Sequence, residues 1–333
     1  MKRSLRTLLA LLAVLVLAVG VTACGDDEDS GGDSGGSGGE QAQNGGGGGV
    51  EPITKDPANS GKKITIGSKN FPEQYILGEI YAQALTAAGF DVKKELDLGA
   101  EQVAFKALKG GTVDAYPEYT GTALTSFYKV KTDDVPRDKA QAFEQLQGDL
   151  QADKITGMPL TPFENTFRVT SSVKTKEELG NPTTLSEVAE KAKSGKSISG
   201  FPECRQRTDC HLGLKQTYNW TPKFVSSEGK FEDLDAGQSD FTFGFSTDGE
   251  LTQTDKYATY EDDKKLFPPY QVTLLTRDDA IERLGPNYQK VVEQVQSEMT
   301  EQVMQELNSR ITQDKQEPAE VAKAYLKESG YIK

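Results

Sequence analysis

The chain has 333 residues, 35% of them hydrophobic, and a formal net charge of −13 at pH 7. This length exceeds what one hydrophobic core usually holds, so we expect two lobes. The acidic balance argues against nucleic acid as a partner, because phosphates attract basic surfaces.

The N-terminus is typical of an exported lipoprotein. Three basic residues open the chain, and a nearly unbroken apolar run follows over residues 8–21. That run is shorter than the roughly 20 residues that a membrane-spanning helix needs, so we interpret residues 1–23 as a cleaved signal peptide. Small residues lead into Cys24, and we expect this cysteine to carry a lipid as the mature N-terminus. A plain signal peptide with an incidental cysteine is the alternative.

Residues 24–61 are predicted to form a disordered tether. The stretch from Gly25 to Gly49 is almost entirely Gly, Ser, Asp, Glu, Gln and Asn. With so little apolar surface to bury, it cannot offset the entropy lost on ordering. A flexible tether would hold a folded domain near the outer face of a cell membrane, or in a periplasm, and leave it free to turn.

The cysteine count predicts one disulfide. With Cys24 assigned to the lipid, Cys204 and Cys210 remain. In an exported protein a single remaining pair is typical of a disulfide. The alternative is a metal site that includes His211, but three ligands at this spacing do not match the usual zinc sites. We therefore expect a disulfide and no metal.

From Lys62 onward, strand and helix signals alternate. The first part of the chain is predicted to contain strands at residues 63–67, 92–96 and 111–116, with helices at 73–88 and 102–108. Strand–helix–strand units of this length imply parallel pairing and an α/β lobe.

The same alternation continues to the C-terminus. Strands are predicted at residues 167–173, 197–200, 241–245 and 272–275, with helices at 138–153, 185–192, 212–218, 288–305 and 318–328. Pro268 and Pro269 fit neither element and mark a boundary. We expect residues 62–165 and 271–333 to form one lobe, and residues 166–270 the other.

One internal echo has functional content. Residues 111–119 and 237–245 both begin with glycine, have an aspartate three residues later, and end in an aromatic residue, Tyr119 or Phe245. A short strand would bring each aromatic residue to its C-terminal end. Ligands bind at that edge of open α/β sheets, so the echo predicts a cleft between two lobes.

Five sequence blocks carry a resemblance to a known family. They are Gly67–Glu79, Tyr116–Thr122, Phe245–Gly249, Phe267–Tyr270 and Met304–Asn308. In this order they resemble the glycine betaine/choline/carnitine substrate-binding proteins of osmoprotectant ABC importers. The resemblance covers essentially all of residues 62–333. It implies a type II periplasmic-binding-protein fold, which delivers its ligand to an ABC permease and the associated ATPase.

The resemblance also implies a binding site with two halves, an aromatic cage for a trimethylammonium group and polar donors for a carboxylate. The positions that match the cage are Tyr119, Phe167, Phe245 and Tyr270. Those that match the donors are Lys69, Thr122 and Arg205. Two cage positions are phenylalanine here, where tyrosine is common in the family.

Neighbouring residues leave some of these assignments open. Phe163 and Phe243 lie close enough in sequence to replace the two phenylalanines as cage walls. Arg207 lies in the same Cys204–Cys210 loop as the matched arginine and is a second candidate for the carboxylate.

The chemistry agrees with these residue types. A quaternary ammonium ion has no N–H to donate, and aromatic faces attract its charge by about 0.5–2 kcal/mol per contact. Lysine and arginine favour ligands that also carry a carboxylate. Glycine betaine, proline betaine, carnitine and choline are therefore the candidate ligands, and the sequence does not choose among them.

Other functions are disfavoured. A hydrolase needs a nucleophile with a base, and the chain has one histidine and no recognisable nucleophile motif. We therefore expect no catalytic residue and no cofactor. A scaffold lipoprotein would not need matched aromatic strand ends. We expect the protein to be a monomer. The stronger rival is a binding protein of the same fold for an amino acid or polyamine, whose N–H groups usually meet an acidic side chain.

Overall fold

The computed structural model describes residues 50–192 and 195–333. The predicted signal peptide, the lipid attachment at Cys24 and the glycine-rich stretch up to Gly49 lie outside the described residues. Within those ranges, no helix is long and apolar enough to cross a membrane.

Residues 50–61 pack against the folded chain, so the predicted tether extends too far in this direction. The backbone N–H of Ile53 donates a 2.8 Å hydrogen bond to the carbonyl of Tyr331, and the Ile53 side chain packs on a hydrophobic core. Asn59 is buried. Apolar side chains give this segment surface to bury, which the glycine-rich stretch before it lacks. The first described residues therefore lie beside the C-terminus.

Ten strands lie in the described ranges. They are β1 Lys63–Gly67, β2 Asp91–Glu95, β3 Ala115–Tyr119, β4 Ile155–Gly157, β5 Phe167–Ser172, β6 Ser197–Gly200, β7 Lys223–Ser226, β8 Phe241–Phe245, β9 Tyr257–Thr259 and β10 Val272–Arg277. They form two sheets, in the orders β2-β1-β3-β10-β4 and β7-β6-β8-β5-β9. In each sheet three neighbouring strands are parallel, and the fourth, β10 or β5, runs antiparallel to them. The edge strand, β4 or β9, pairs antiparallel with that fourth strand.

Helices cover both sheets. They are α1 Pro72–Ala87, α2 Glu101–Lys109, α3 Thr120–Thr122, α4 Lys139–Leu150, α5 Val173–Glu178, α6 Leu185–Lys191, α7 His211–Tyr218, α8 Phe231–Asp235, α9 Asp278–Leu284, α10 Pro286–Gln296, α11 Glu301–Thr312 and α12 Pro318–Glu328. The α1 helix begins at a proline, whose missing N–H costs nothing at a first helical position. The C-terminal helices α10 to α12 pack with α1 on the first sheet.

Each sheet has its own main hydrophobic core. The first contains Ile76, Tyr288 and Tyr325, all fully buried. The second contains Phe241 and Trp220. Two sheets with separate cores make this a two-lobed α/β molecule.

The predicted elements differ from the structure in two informative places. The third strand begins at Ala115, because Gly111 adopts φ +72° and the chain turns there before extending. The single helix predicted over residues 288–305 is two helices, α10 and α11. Thr300 separates them by accepting a 3.2 Å hydrogen bond from the backbone N–H of Val303, which begins a new helix.

The α11 helix contacts both lobes. Its apolar residues Met304 and Leu307 belong to the first core. Gln305 Nε2 donates a 2.7 Å hydrogen bond to the carbonyl of Ser246, just after the strand β8 of the second sheet. Gly249 lies so close to the helix that an added Cβ would stand 2.5 Å from the backbone nitrogen of Ser309.

Candidate ligand-binding cleft

A cavity of about 660 Å³ lies between the two sheets. Tyr119 at the end of β3 and Phe245 at the end of β8 both line it. The predicted echo is therefore confirmed in structure, since both strands carry an aromatic residue to their C-terminal end. This is the edge at which open α/β sheets bind ligands.

All four aromatic residues that match the cage line this cavity, together with two that were not predicted, Phe71 and Phe201. The rings of Phe167 and Phe245 lie 5.0 Å apart, centre to centre, and nearly parallel. Phe71 lies 6.1 Å from Tyr119 in the same manner. The cavity thus has an aromatic wall in each lobe.

The alternative aromatic residues face the protein interior. Phe163 is in the core of the first lobe and Phe243 in that of the second. Phe243 and Phe245 lie on the same side of β8, because side chains alternate along a strand. Only the later residue is close enough to the strand end to reach the cavity.

The arginine expectation requires a correction. Arg207 lines the cavity, whereas Arg205 does not. The Arg205 guanidinium lies over the ring of Phe224, 5.4 Å from its centre. The Arg207 guanidinium lies 5.6 Å from the ring centre of Phe167. The short 3₁₀ helix before Arg207 turns the two side chains in different directions.

Asp209 positions Arg207. Two guanidinium nitrogens of Arg207 contact the two carboxylate oxygens of Asp209, which is buried. The hydrogen bonds that Arg207 donates to Asp209 raise the pKa of Arg207 further above its usual range. The hydroxyl of Tyr270 also donates to Asp209, at 3.3 Å. Asp209 therefore joins Arg207 to Tyr270, one of the predicted cage residues.

The same loop holds the two cysteines. The Cα atoms of Cys204 and Cys210 lie 5.3 Å apart, and both residues are buried. This separation lies within the range that a disulfide requires.

Lys69 is buried against the cavity with an acidic partner. Its ammonium group donates to a carboxylate oxygen of Glu118, and it lies 4.6 Å from the ring centre of Tyr119. Thr122, which lines the cavity nearby, is half-buried at the end of α3. The first lobe therefore contributes two of the side chains that were predicted to donate hydrogen bonds to a ligand carboxylate.

A third cationic side chain at the cavity, Lys230, was not predicted. Its ammonium group lies 4.5 Å from the ring centre of Phe245 and 3.0 Å from a carboxylate oxygen of Asp248. Lys230 lies in an irregular loop with φ +45° and belongs to no recognisable motif. The sequence offered no signal for it.

Glu73 was also missed, although it lies within a recognised block. It is 3% exposed and accepts hydrogen bonds from the hydroxyl of Tyr119 at 2.7 Å, from Asn165 Nδ2 at 2.9 Å and from Asn308 Nδ2 at 2.8 Å. Asn308 also donates to the carbonyl of Thr247 in the other lobe. Glu73 lies in the first turn of α1, where an acidic residue usually stabilises the helix, so the sequence offered no reason to place it in the cavity.

Comparison with solved structures identifies the fold. A structure of a glycine betaine/carnitine/choline ABC transporter protein is 22% identical, with a TM-score of 0.73, and the match covers 81% of this chain and all of that one. Apo YehZ from Escherichia coli, also 22% identical, gives a TM-score of 0.70 and covers 81% and 99%. The predicted type II periplasmic-binding-protein fold is confirmed.

The family follows from sequence comparison. The substrate-binding domain of the ABC-type glycine betaine transport system matches residues 62–328, and the chain belongs to this family. It is thus the substrate-binding component of an ABC importer. The family consists of transport proteins, not enzymes, and its members work outside the cytoplasm.

Its relatives differ in their ligands. The glycine-betaine-binding protein of Pseudomonas aeruginosa is 27% identical, over 80% of this chain and 87% of the relative. The ergothioneine transport permease/ergothioneine binding protein EgtU of Helicobacter pylori is 26% identical over 81% of this chain, which spans about half, 48%, of that relative. The carnitine transport binding protein OpuCC of Listeria monocytogenes is 25% identical, over 82% and 89%.

Proposed function

We propose that the cavity binds a small quaternary ammonium compound of the glycine betaine type for import. The observation that carries the proposal is an aromatic wall in each lobe. Tyr119 lies in the first lobe, Phe167 and Phe245 lie in the second, and Tyr270 lines the cavity from the crossing between them. A trimethylammonium group offers no hydrogen-bond donor, so such walls are the surface that attracts it.

Polar donors would bind the other end of the ligand. Lys69, Thr122 and Arg207 line the same cavity. Both cations have acidic partners, but an ammonium group has three N–H bonds and a guanidinium has five, so donors remain for a carboxylate. Arg205, which points elsewhere, has no part in this proposal.

Lobe closure would complete the site. The chain crosses between the sheets through residues 158–166 and 260–271, where Glu164 and Gln271 form an isolated antiparallel bridge. Phe167 and Tyr270 line the ligand cavity. The residues directly before and after each of them in sequence line a second cavity, of about 630 Å³. These crossings are the proposed hinge, and they divide lobe 62–165 with 271–333 from lobe 166–270.

The rest of the proposal concerns the protein's surroundings. A lipid on Cys24 would anchor a monomer to the outer face of the membrane, close to its permease and ATPase. A disulfide between Cys204 and Cys210 would stiffen the loop that carries Arg207, and the 5.3 Å Cα separation supports it.

Calorimetry tests the ligand class. The full chain, purified in detergent and refolded to remove bound ligand, would be titrated with glycine betaine, carnitine, choline, proline and putrescine. We expect saturable one-to-one binding of at least one quaternary ammonium compound. Binding of proline or putrescine alone would favour an amino-acid or polyamine carrier and overturn the proposal.

A further inference from the structure

The charges around the cavity are unevenly paired. Among the described residues, three cationic side chains line it, and each has an acidic partner. The pairs are Lys69 with Glu118, Arg207 with Asp209 and Lys230 with Asp248. Glu73 lines the same cavity, yet within the described part of the chain it forms no ion pair with a lysine or arginine. A buried acid without a cationic partner is costly unless something else stabilises it.

The hydrogen bonds of Glu73 are those of a carboxylate. All three of its side-chain partners, Tyr119, Asn165 and Asn308, are donors. An ionised carboxyl group only accepts hydrogen bonds, so this arrangement matches the charged form. Burial, together with the charge of Glu73, raises the pKa of Tyr119 well above its usual range. The tyrosine hydroxyl therefore keeps its proton and remains a donor.

We infer that Glu73 supplies the negative charge that a quaternary ammonium ligand meets, acting through the hydroxyl of Tyr119 on the ring of the cage. This inference rests on the proposed function. A phenol that donates to an anion gains electron density in its ring, which strengthens the attraction of the ring face for a cation. Few water molecules reach a group that is 3% exposed, so the charge is weakly screened. Glu73 is thus a positioning residue that favours a cation over a neutral molecule of the same shape.

The position of the Lys69 ammonium, 4.6 Å from the Tyr119 ring centre, makes the role of Glu73 more important. Without Glu73, a ligand cation approaching that ring would meet a lysine whose charge only Glu118 offsets. With Glu73 present, the wall carries two acids against one cation. The net charge at the first-lobe wall is then negative, which favours a positively charged ligand.

The test uses pairs of ligands that differ only in charge. Glycine betaine is compared with tert-butylacetate, and choline with tert-butylethanol, where carbon replaces the quaternary nitrogen. In Glu73→Gln we expect the affinity ratio of cationic to carbon ligand to fall about tenfold. The new amide keeps the size of the side chain. Asn308 Oδ1 has no hydrogen-bond partner among the described residues, so the Asn308 side chain can turn and accept a hydrogen bond from the new amide.

Glu101→Gln is the matched control. Glu101 also lines the cavity, but it is half-exposed in the first turn of α2, where water screens its charge. We expect the same ratio to stay within about twofold of the parent. Thermal unfolding monitors the fold of each variant. If Glu73→Gln does not fold, Tyr119→Phe removes the hydroxyl link and should lower the ratio as well.

The outcomes separate the two claims. A parent protein that binds none of glycine betaine, carnitine and choline overturns the proposed function and this inference with it. A parent that binds them, with a ratio unchanged in Glu73→Gln, overturns this inference alone. Equal losses for the cationic and the carbon ligand would also overturn it, because they would show that Glu73 only maintains the shape of the cavity.

Discussion

The ammonium group of Lys69 and the carboxylate of Glu118 form an ion pair almost wholly removed from water, with side chains 5% and 0% exposed. Glu118 also accepts 2.9 and 2.8 Å hydrogen bonds from the hydroxyl of Tyr116 and the backbone N–H of Tyr119. One carboxylate therefore contacts both a candidate donor, Lys69, and the strand end that carries a predicted cage residue, Tyr119.

Removing the negative charge of Glu118 should destabilise the folded protein. In Glu118→Gln we expect the free energy of unfolding in urea to fall by about 3 kcal/mol, because Lys69 is left buried without a counter-charge. Glycine betaine, which brings a carboxylate, should restore more stability than choline. The control is Glu95→Gln, which breaks the exposed pair with Lys93 and should cost less than about 1 kcal/mol. Equal losses in the two variants would contradict this prediction.

The two arginines of the cysteine loop should behave differently. Arg207→Gln should weaken glycine betaine binding about tenfold, because a charge-assisted hydrogen bond to the carboxylate is lost. Arg205→Gln should leave the affinity unchanged, since that guanidinium packs over Phe224. Calorimetric titration of both variants measures the contrast. A larger loss in the Arg205 variant would restore the original assignment.

The aromatic wall of the second lobe should contribute directly to affinity. Phe245→Leu keeps an apolar side chain but removes the ring face, and should cost about 0.5–2 kcal/mol of binding free energy for a quaternary ammonium ligand. Phe224→Leu is the matched control, because Phe224 is half-buried outside the cavity. If both variants bind as the parent does, the ring face of Phe245 is not part of the cage.

The contact between Gly249 and α11 should not tolerate a side chain. Gly249→Ala places a Cβ 2.5 Å from Ser309 N and 2.6 Å from its Cα, and neither backbone atom can move independently. We expect the free energy of unfolding to fall by about 1–3 kcal/mol, measured by urea denaturation. Gly148→Ala has open space around its Cβ and serves as control. A Gly249 variant as stable as the parent would mean that the contact opens readily.

Ligand affinity should be flat across the neutral range. Burial raises the pKa of both Tyr119 and Tyr270 above the usual value near 10. A raised pKa means that the protonated hydroxyl contributes fully below the ordinary value and is lost only as pH rises through the higher one. Titrations between about pH 6 and about pH 9 should therefore give one affinity. A fall in affinity toward pH 9 would contradict this assignment.

The sequence predicted the residues that motifs and strand ends place. Six of the seven predicted site residues line one cavity, because blocks such as Tyr116–Thr122 fix a strand, its end and the turn after it. The echo was informative for the same reason. A short strand has only one end at the cleft, so the aromatic residue that reaches it is defined by position.

The missed residues depend on geometry that the sequence does not express. Arg205 lies in a short 3₁₀ helix and Arg207 directly after it, and this segment is too short for periodicity to indicate the direction of either side chain. Lys230 reaches the cavity from a loop of the second lobe, and Asn308 from a helix about 235 residues beyond its partner Glu73. The tertiary packing of α11 across both lobes brings Asn308 to Glu73.

The hydrogen bond from Ile53 to Tyr331 has a practical consequence for single-molecule work. It places the first and last described residues side by side on the lobe that contains α1 and α12. A bead, surface or dye attached at either end would therefore hold or report on the same rigid half. The proposed lobe closure would leave such a handle still, and a force probe pulling on both ends would load this lobe and not the proposed hinge.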